Sequence, residues 1–165
     1  MAEQSLSLLN AFEILVDGGT RHVICFLDPV LAGAKGIEPQ WLVGEITPGP
    51  DGDFDASRFV LNPDFIRTLT DYMNDVAAQT PALVAQANAR PSEWLYVLDP
   101  RYRGPTDEPP GSEVLGCFGV DDTGRIAPGS FQYNQHHVWF EPSFGVSGLL
   151  GDRRFYAWVH GQSEN

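Results

Sequence analysis

Apolar side chains recur at three- and four-residue steps in one long stretch of the chain, residues 62–89. That spacing is typical of a helix that buries one face. Asn62 can accept a hydrogen bond from a free backbone N–H of the first turn, and Pro63 supplies a helical φ where no donor is needed. We therefore expect the helical segment to begin at Pro63.

Pro81 interrupts this helical pattern. A proline inside a helix removes one hydrogen bond and clashes with the preceding turn, and it pushes the residue before it, Thr80, out of the α region. The sequence thus predicts a central broken helix, with one part over about 63–79 and a second, capped by Thr80, over about 81–89. The exposed side of the first part is expected to carry three aspartates: Asp64, Asp71 and Asp75.

Shorter runs on both sides of the broken helix have the patterns of β-strands, and a Gly-Gly pair at residues 18–19 is typical of a hairpin turn. Predicted strands lie at about 6–16, 21–27, 40–46, 94–98, 114–120, 131–133 and 138–140, and a short apolar patch at 59–61 runs into the helix. We expect a single α+β domain over residues 1–165, with a mainly antiparallel sheet of about six to seven strands. The central broken helix (about 63–89) and a short C-terminal helix at 153–160 are expected to pack on this sheet.

Charge narrows the range of partners. The net charge is −12, and Lys35 is the single lysine among ten basic residues. Such a surface repels phosphate backbones and anionic lipid headgroups, so we expect neither nucleic acid nor a membrane as partner, but a basic protein. The candidate partner-binding carboxylates lie on the first helix and in two predicted loops: Asp64, Asp71, Asp75, Asp107, Glu108, Asp121 and Asp122.

The sequence also favours a cytoplasmic location. It shows neither the basic-then-apolar pattern of a signal peptide nor an apolar run long enough for a membrane span. The two cysteines, Cys25 and Cys117, lie in apolar strand-like runs and do not form the framework of a disulfide-rich secreted domain.

Two patterns are weighed as metal sites, and both fail. Aspartates alternate at residues 51, 53 and 55 as in a calcium loop, but the required glycine and the final carboxylate are replaced by Ala56 and Asn62. His136 and His137 are adjacent, and adjacent side chains on a strand point to opposite faces. We therefore expect no metal and no other cofactor.

The enzymatic alternative is a hydrolase or transferase with Cys117 as nucleophile and His137 as its base. An acid such as Asp121 or Glu141 would orient the imidazole. Reactive thiols usually lie at a helix start or near a cation, whereas Cys117 is in the middle of a predicted strand. The pattern favours a core cysteine, so catalysis stays open but is not the preferred interpretation.

A second alternative comes from an alternating aromatic and polar run over residues 131–139. Its members share one face of the predicted sheet: Phe131, Tyr133, Gln135, His137 and Trp139. If Tyr133, His137 and Trp139 line an exposed cleft, that face would suit a small ligand or a peptide in a regulatory domain. If a helix covers the face, the same residues form core, which the size of the aromatics favours.

The failure of each catalytic pattern, together with the charge, predicts a small acidic interaction protein of bacterial type. It would bind and neutralise a basic toxin or enzyme, as immunity proteins do, because electrostatic steering makes such capture fast. The comparison with immunity proteins concerns general character alone. Tyr133, His137 and Trp139 are added to the candidate carboxylates as partner-binding residues.

Overall fold

The computed structural model describes residues 10–16, 19–25, 42–47, 50–51, 58–99, 102 and 104–138. The chain divides into two compact units, Met1–Arg67 with Phe140–Asn165, and Thr68–Trp139. The boundary at residues 67–68 falls within the longest helix.

The first unit contains a four-stranded antiparallel sheet with the strands in chain order. The strands are β1 (Asn10–Val16), β2 (Gly19–Cys25), β3 (Leu42–Ile46) and β4 (Phe59–Leu61). Val16 pairs with Gly19, as expected of a tight hairpin between β1 and β2. Val23 and Val43 are buried, and Val43 also accepts a hydrogen bond from the backbone N–H of Asn62, the residue that precedes the helix.

The helical segment is broken, and its first part is shorter than the pattern predicts. Helix α1 spans Pro63–Asp75, a 3-10 turn spans Ala77–Gln79, and helix α2 spans Pro81–Asn88. The Asn62 side chain accepts from the N–H of Asp64 at 3.2 Å, which confirms the predicted cap. Thr80 does occupy the N-cap position of α2 with extended backbone, but its hydroxyl donates to the carbonyl of Ala77.

The apolar stripe of α1 is buried, as amphipathic spacing requires. Its buried members are Phe65, Leu69, Tyr72 and Met73. Asp71 and Asp75 lie on the exposed side.

The second unit contains a three-stranded antiparallel sheet in the order β5-β6-β7. The strands are β5 (Trp94–Leu98), β6 (Val114–Gly119) and β7 (Gln132–Tyr133). One face is core, where the rings of Phe118 and Phe131 lie 5.1 Å apart. The N–H of Phe131 donates to Oδ1 of Asn74 at 3.0 Å, which links this core to the end of α1.

The prediction of one sheet of six to seven strands is wrong, because the strands form two separate sheets. Alternation specifies which face of a strand is buried, but it does not specify the pairing partner. The broken helix intervenes between β4 and β5, and each group of strands pairs within itself. The predicted strand at 138–140 and the predicted C-terminal helix at 153–160 lie almost wholly outside the residues that the structure describes. A single domain over 1–165 stays a prediction.

Candidate functional site

The predicted partner-binding carboxylates lie in four places. Asp64 is half-exposed at the start of α1 and forms an ion pair with Arg67 at 3.0 Å. Asp71 and Asp75 are exposed further along that helix. Two exposed pairs lie in loops of the second unit: Asp107 with Glu108, and Asp121 with Asp122.

Asp121 organises the turn after β6. Its carboxylate accepts from the backbone N–H groups of Arg125 and Thr123, each at 2.9 Å, and from the Thr123 hydroxyl at 2.7 Å. The hydrogen bond from Arg125, followed by that from the Thr123 hydroxyl, lowers the pKa of Asp121 below its ordinary value. This carboxylate therefore stays charged and fixed in the turn.

His137 is buried and paired with an acid that the sequence analysis missed. Its Nε2 lies 2.8 Å from Oδ2 of Asp99, and both side chains are 0% exposed. Because a carboxylate accepts, Nε2 donates, and in a neutral imidazole Nδ1 is then the acceptor for the Tyr133 hydroxyl at 3.3 Å. The expected orienting acid Asp121 has its carboxylate in the turn hydrogen bonds, and Glu141 lies outside the described part of the chain.

Asn134 holds the His137 backbone in position. Its side-chain amide donates to the carbonyls of Gly111 and Val114 at 2.8 and 2.7 Å, and its Oδ1 accepts from the N–H of His136 at 3.0 Å. The carbonyl of Asn134 accepts from the N–H of His137 at 3.0 Å. This turn places His137 in the interior and leaves His136 exposed.

Cys117 is half-buried, and burial raises the pKa of its thiol. The thiol is therefore protonated at neutral pH, which disfavours nucleophilic attack. Both ring nitrogens of His137 are hydrogen-bonded to other side chains, Asp99 and Tyr133. The geometry thus gives no support to the Cys117–His137 alternative.

Two of the four described members of the run at 131–139 are buried, and Gln135 is exposed. Phe131 and His137 are buried, Tyr133 is half-buried, and Trp139 lies outside the described residues. Burial of His137 removes one of the three side chains that the proposed ligand cleft needs.

Among the described residues of this unit, the exposed tryptophan and tyrosine side chains are instead on β5. Trp94 is 51% exposed and Tyr96 is 59% exposed, whereas Leu95 between them is buried. Side chains two apart on a strand point to one face, and their cross-strand partners share it. Gly119 lies beside Trp94, while Cys117 and Gln132 follow Tyr96 across the sheet. We call this surface, formed by Trp94, Tyr96, Cys117 and Gln132, the β5 face.

A pocket of about 480 Å³ lies at the β7 end of the β5 face. It is lined by Tyr96, Cys117, Gln132, Tyr133, Asn134 and His136, among other residues. The described lining residues supply amides, aromatic rings and an imidazole, and none of them is a Lys, Arg, Asp or Glu. The pocket therefore suits neutral hydrogen-bonding groups.

Acidic residues lie near the first residue of β5. Glu93 is exposed and directly precedes Trp94, and its carbonyl accepts from the N–H of Val120 at 3.2 Å. The carbonyl of Asp121 accepts from the N–H of Ser92 at 2.9 Å, which holds the acidic turn against the start of β5. The sequence analysis missed Trp94 and Tyr96. Their alternation with Leu95 was visible, but exposure depends on what covers each face.

Within the described part of the chain, no three His, Cys, Asp or Glu side chains form a group that could hold a metal ion. Asp51 is exposed, whereas residues 53 and 55 of the failed calcium pattern lie outside that part. None of the described helices combines the length and apolar character that a membrane crossing requires. Comparison with protein-family models, curated proteins and solved structures finds no match for this chain.

Proposed function

We propose that this chain is an acidic interaction protein that binds and neutralises a basic partner, in the manner of a bacterial immunity protein with its toxin or target enzyme. The observation that supports this function best is the β5 face, on which Trp94 and Tyr96 are exposed, together with the exposed acidic residues Glu93, Asp121 and Asp122 near the start of β5. The proposal includes a cytoplasmic location.

The two aromatic side chains would supply most of the affinity. Trp and Tyr are enriched among the few residues that dominate the binding energy of protein interfaces. About half of each side chain is still exposed and available for burial by a partner. At roughly 25 cal/mol per Å², burying the exposed part of each ring contributes about 2 kcal/mol.

The carboxylates would supply selectivity for a basic protein and speed of association. The exposed turn at Asp121–Asp122 and the exposed Glu93 lie near the start of β5, where they would act as an acidic rim for a partner bound there. Exposed charges at an interface rim mainly change the association rate and its dependence on salt. Asp71, Asp75, Asp107 and Glu108 would strengthen the attractive field, together with the net charge of −12.

Neutralisation of a toxic neighbour tests this proposal. The chain is co-expressed with the product of each adjacent reading frame, and cell growth is measured. We expect one basic product to stop growth when expressed alone and to be neutralised by this chain. The double variant Trp94→Ala with Tyr96→Ala should lose protection.

Val84→Ala is the matched control, because Val84 is also an exposed apolar side chain of the second unit but belongs to α2 and not to β5. It should protect like the wild type. Failure to neutralise any neighbouring product, or full protection by the double β5 variant, would contradict the proposal.

A further inference from the structure

Among the described strands β5 lies at the edge of its sheet, because the sheet order is β5-β6-β7. The bonds of Gly119, the partner of Trp94, show which residues of β5 are hydrogen-bonded to β6 and which face the open edge. Gly119 donates its N–H to Oγ of Ser130 at 3.1 Å, and its carbonyl accepts from Ala127 at 2.9 Å. Both groups of Gly119 are therefore used away from β5.

Trp94 and Gly119 consequently form a non-hydrogen-bonded pair, and antiparallel pairs alternate along a ladder. The N–H of Val120 donates to the carbonyl of Glu93, which agrees with this alternation. Leu95 and Val97 therefore bond to β6, whereas Trp94 and Tyr96 direct their backbone N–H and C=O groups to the open edge.

These outward groups are available. No hydrogen bond to the outer N–H or C=O of Trp94 or Tyr96 is formed by any residue in the described ranges. The side chains of the same two residues are more than half exposed. One short segment thus presents free backbone donors and acceptors together with exposed aromatic rings.

Within the described residues, the edge also lacks most of the features that usually protect an edge strand. Proteins discourage unwanted pairing with lysine, proline, inward charges or a covering segment. The sequence of β5 is Trp-Leu-Tyr-Val-Leu, without charge or proline, and its one irregularity lies at its far end, between Val97 and Leu98. Such an edge is suited to accept another strand.

We infer that the edge of β5 accepts an extended, basic segment of the partner protein as an added strand. This inference rests on the proposed function and names its binding mode. A second copy of the chain is a poorer occupant, because each copy has a net charge of −12 and would bring its own Glu93 and Asp121–Asp122 carboxylates to the pairing. Lys or Arg side chains on an incoming strand would instead meet opposite charge.

Amide hydrogen exchange of the isotope-labelled full chain, measured by NMR, tests the added strand. The probe is a capped peptide of alternating lysine and valine, and the matched control peptide has glutamate in place of lysine. In the free protein, the Trp94 and Tyr96 amides should exchange faster than those of Leu95 and Val97. The lysine peptide should slow Trp94 and Tyr96 by at least about tenfold, and the glutamate peptide should not.

A pair of substitutions at one position separates the backbone from the ring. Tyr96→Ala removes the ring and keeps the outward N–H, whereas Tyr96→Pro also removes the N–H, which an edge strand tolerates. We expect Tyr96→Pro to bind the lysine peptide at least about fivefold more weakly than Tyr96→Ala, the effect of one hydrogen bond.

Several results would overturn the inference: no binding of the lysine peptide, binding that leaves the Trp94 and Tyr96 amides unchanged, or equal affinity for the two Tyr96 variants. If hydrogen exchange of these amides slows as the protein concentration rises, in the absence of peptide, the edge instead pairs with a second copy of the chain. The co-expression experiment decides the proposed function separately, since neutralisation that depends on the Trp94 and Tyr96 side chains can occur without an added strand.

Discussion

The least expected contact in this protein joins Asp99 and His137. In the interior, Nε2 of His137 lies 2.8 Å from Oδ2 of Asp99. Removing one member of a buried hydrogen-bonded pair that includes a carboxyl group is far more costly than removing an exposed side chain. We expect His137→Ala to lower the free energy of unfolding by about 3 kcal/mol. Urea denaturation gives the value.

His136→Ala is the control for this change, because His136 is the exposed neighbour in the same turn. It should change stability by less than about 0.5 kcal/mol. Equal losses in the two variants would show that the buried pair has no special role in stability.

The lowered pKa of Asp121 predicts how the stability of the protein changes at acidic pH. Its folded-state pKa lies below the ordinary value of 3.8, so the charged turn contributes stability above that pH. The contribution is lost as the pH falls through the lowered pKa. The stability advantage of the wild type over Asp121→Ala should therefore be largest at neutral pH and shrink below about pH 4.

Thermal unfolding at several pH values measures this difference. Asp122→Ala is the comparison, since the Asp122 side chain forms no hydrogen bond within the described part of the protein. Its difference from wild type should depend less on pH in this range. An Asp121→Ala difference that stays constant from neutral pH to pH 3 would contradict the role of the carboxylate.

The raised pKa of Cys117 predicts an unreactive thiol. Alkylation by iodoacetamide requires the thiolate, so Cys117 should react more slowly than free glutathione at neutral pH and accelerate as the pH rises. Mass spectrometry of the peptide that contains Cys117 gives the rate. Rapid alkylation at neutral pH would return the Cys–His alternative to consideration.

Local chemistry could be predicted residue by residue, but long-range pairs could not. The cap at Asn62 follows from its own side chain and the next two residues, and the structure contains it. The Asp99–His137 pair joins positions 38 residues apart, so its formation depends on how β5 and the turn after β7 are placed. In the sequence, Asp99 directly follows the predicted strand at 94–98 and precedes Pro100, which indicates the end of a strand and gives no sign of a distant partner.

At the scale of elements, the positions of strands and helices were more predictable than their partners. Six of the seven described strands overlap a run that the sequence predicts as a strand, the exception being β4, and Pro81 begins the second helix as its chemistry requires. The division into two sheets was missed, since period two determines a face and not a neighbour. The exposure of Trp94 and Tyr96 was missed for the same reason.

The contact between the turn after β6 and the end of α2 can be tested at Gly124. Gly124 has φ of +78°, and a Cβ there would lie 3.0 Å from Cα of Asn88. Gly129 has a similar φ of +69°, but no described atom lies within 4 Å of its Cβ position. Alanine at either position loses about 1 kcal/mol of stability, because a side chain with a Cβ is strained at positive φ.

Gly124→Ala should therefore lose at least about 1 kcal/mol more than Gly129→Ala, because a backbone contact must also shift. Chemical denaturation of the two variants gives the comparison. Equal losses would mean that α2 does not pack against the turn in this way.

At the scale of the molecule, charge and the β5 face belong to one proposal. A net charge of −12 alone gives solubility and general attraction for basic molecules. The exposed Trp94 and Tyr96 would form the surface at which an attracted partner binds. Composition predicted the kind of partner, whereas the candidate surface could be found only after the sheet was known.

The most direct test of the proposed function is the affinity of this chain for the basic neighbour that it neutralises, measured by titration calorimetry at low and high salt. Trp94→Ala should weaken binding by about 2 kcal/mol, or roughly 30-fold, and Val84→Ala by less than about twofold. Added salt should weaken the binding of the partner by the wild type and by both variants. Equal affinity of Trp94→Ala and Val84→Ala, or binding that is insensitive to salt, would contradict the proposal.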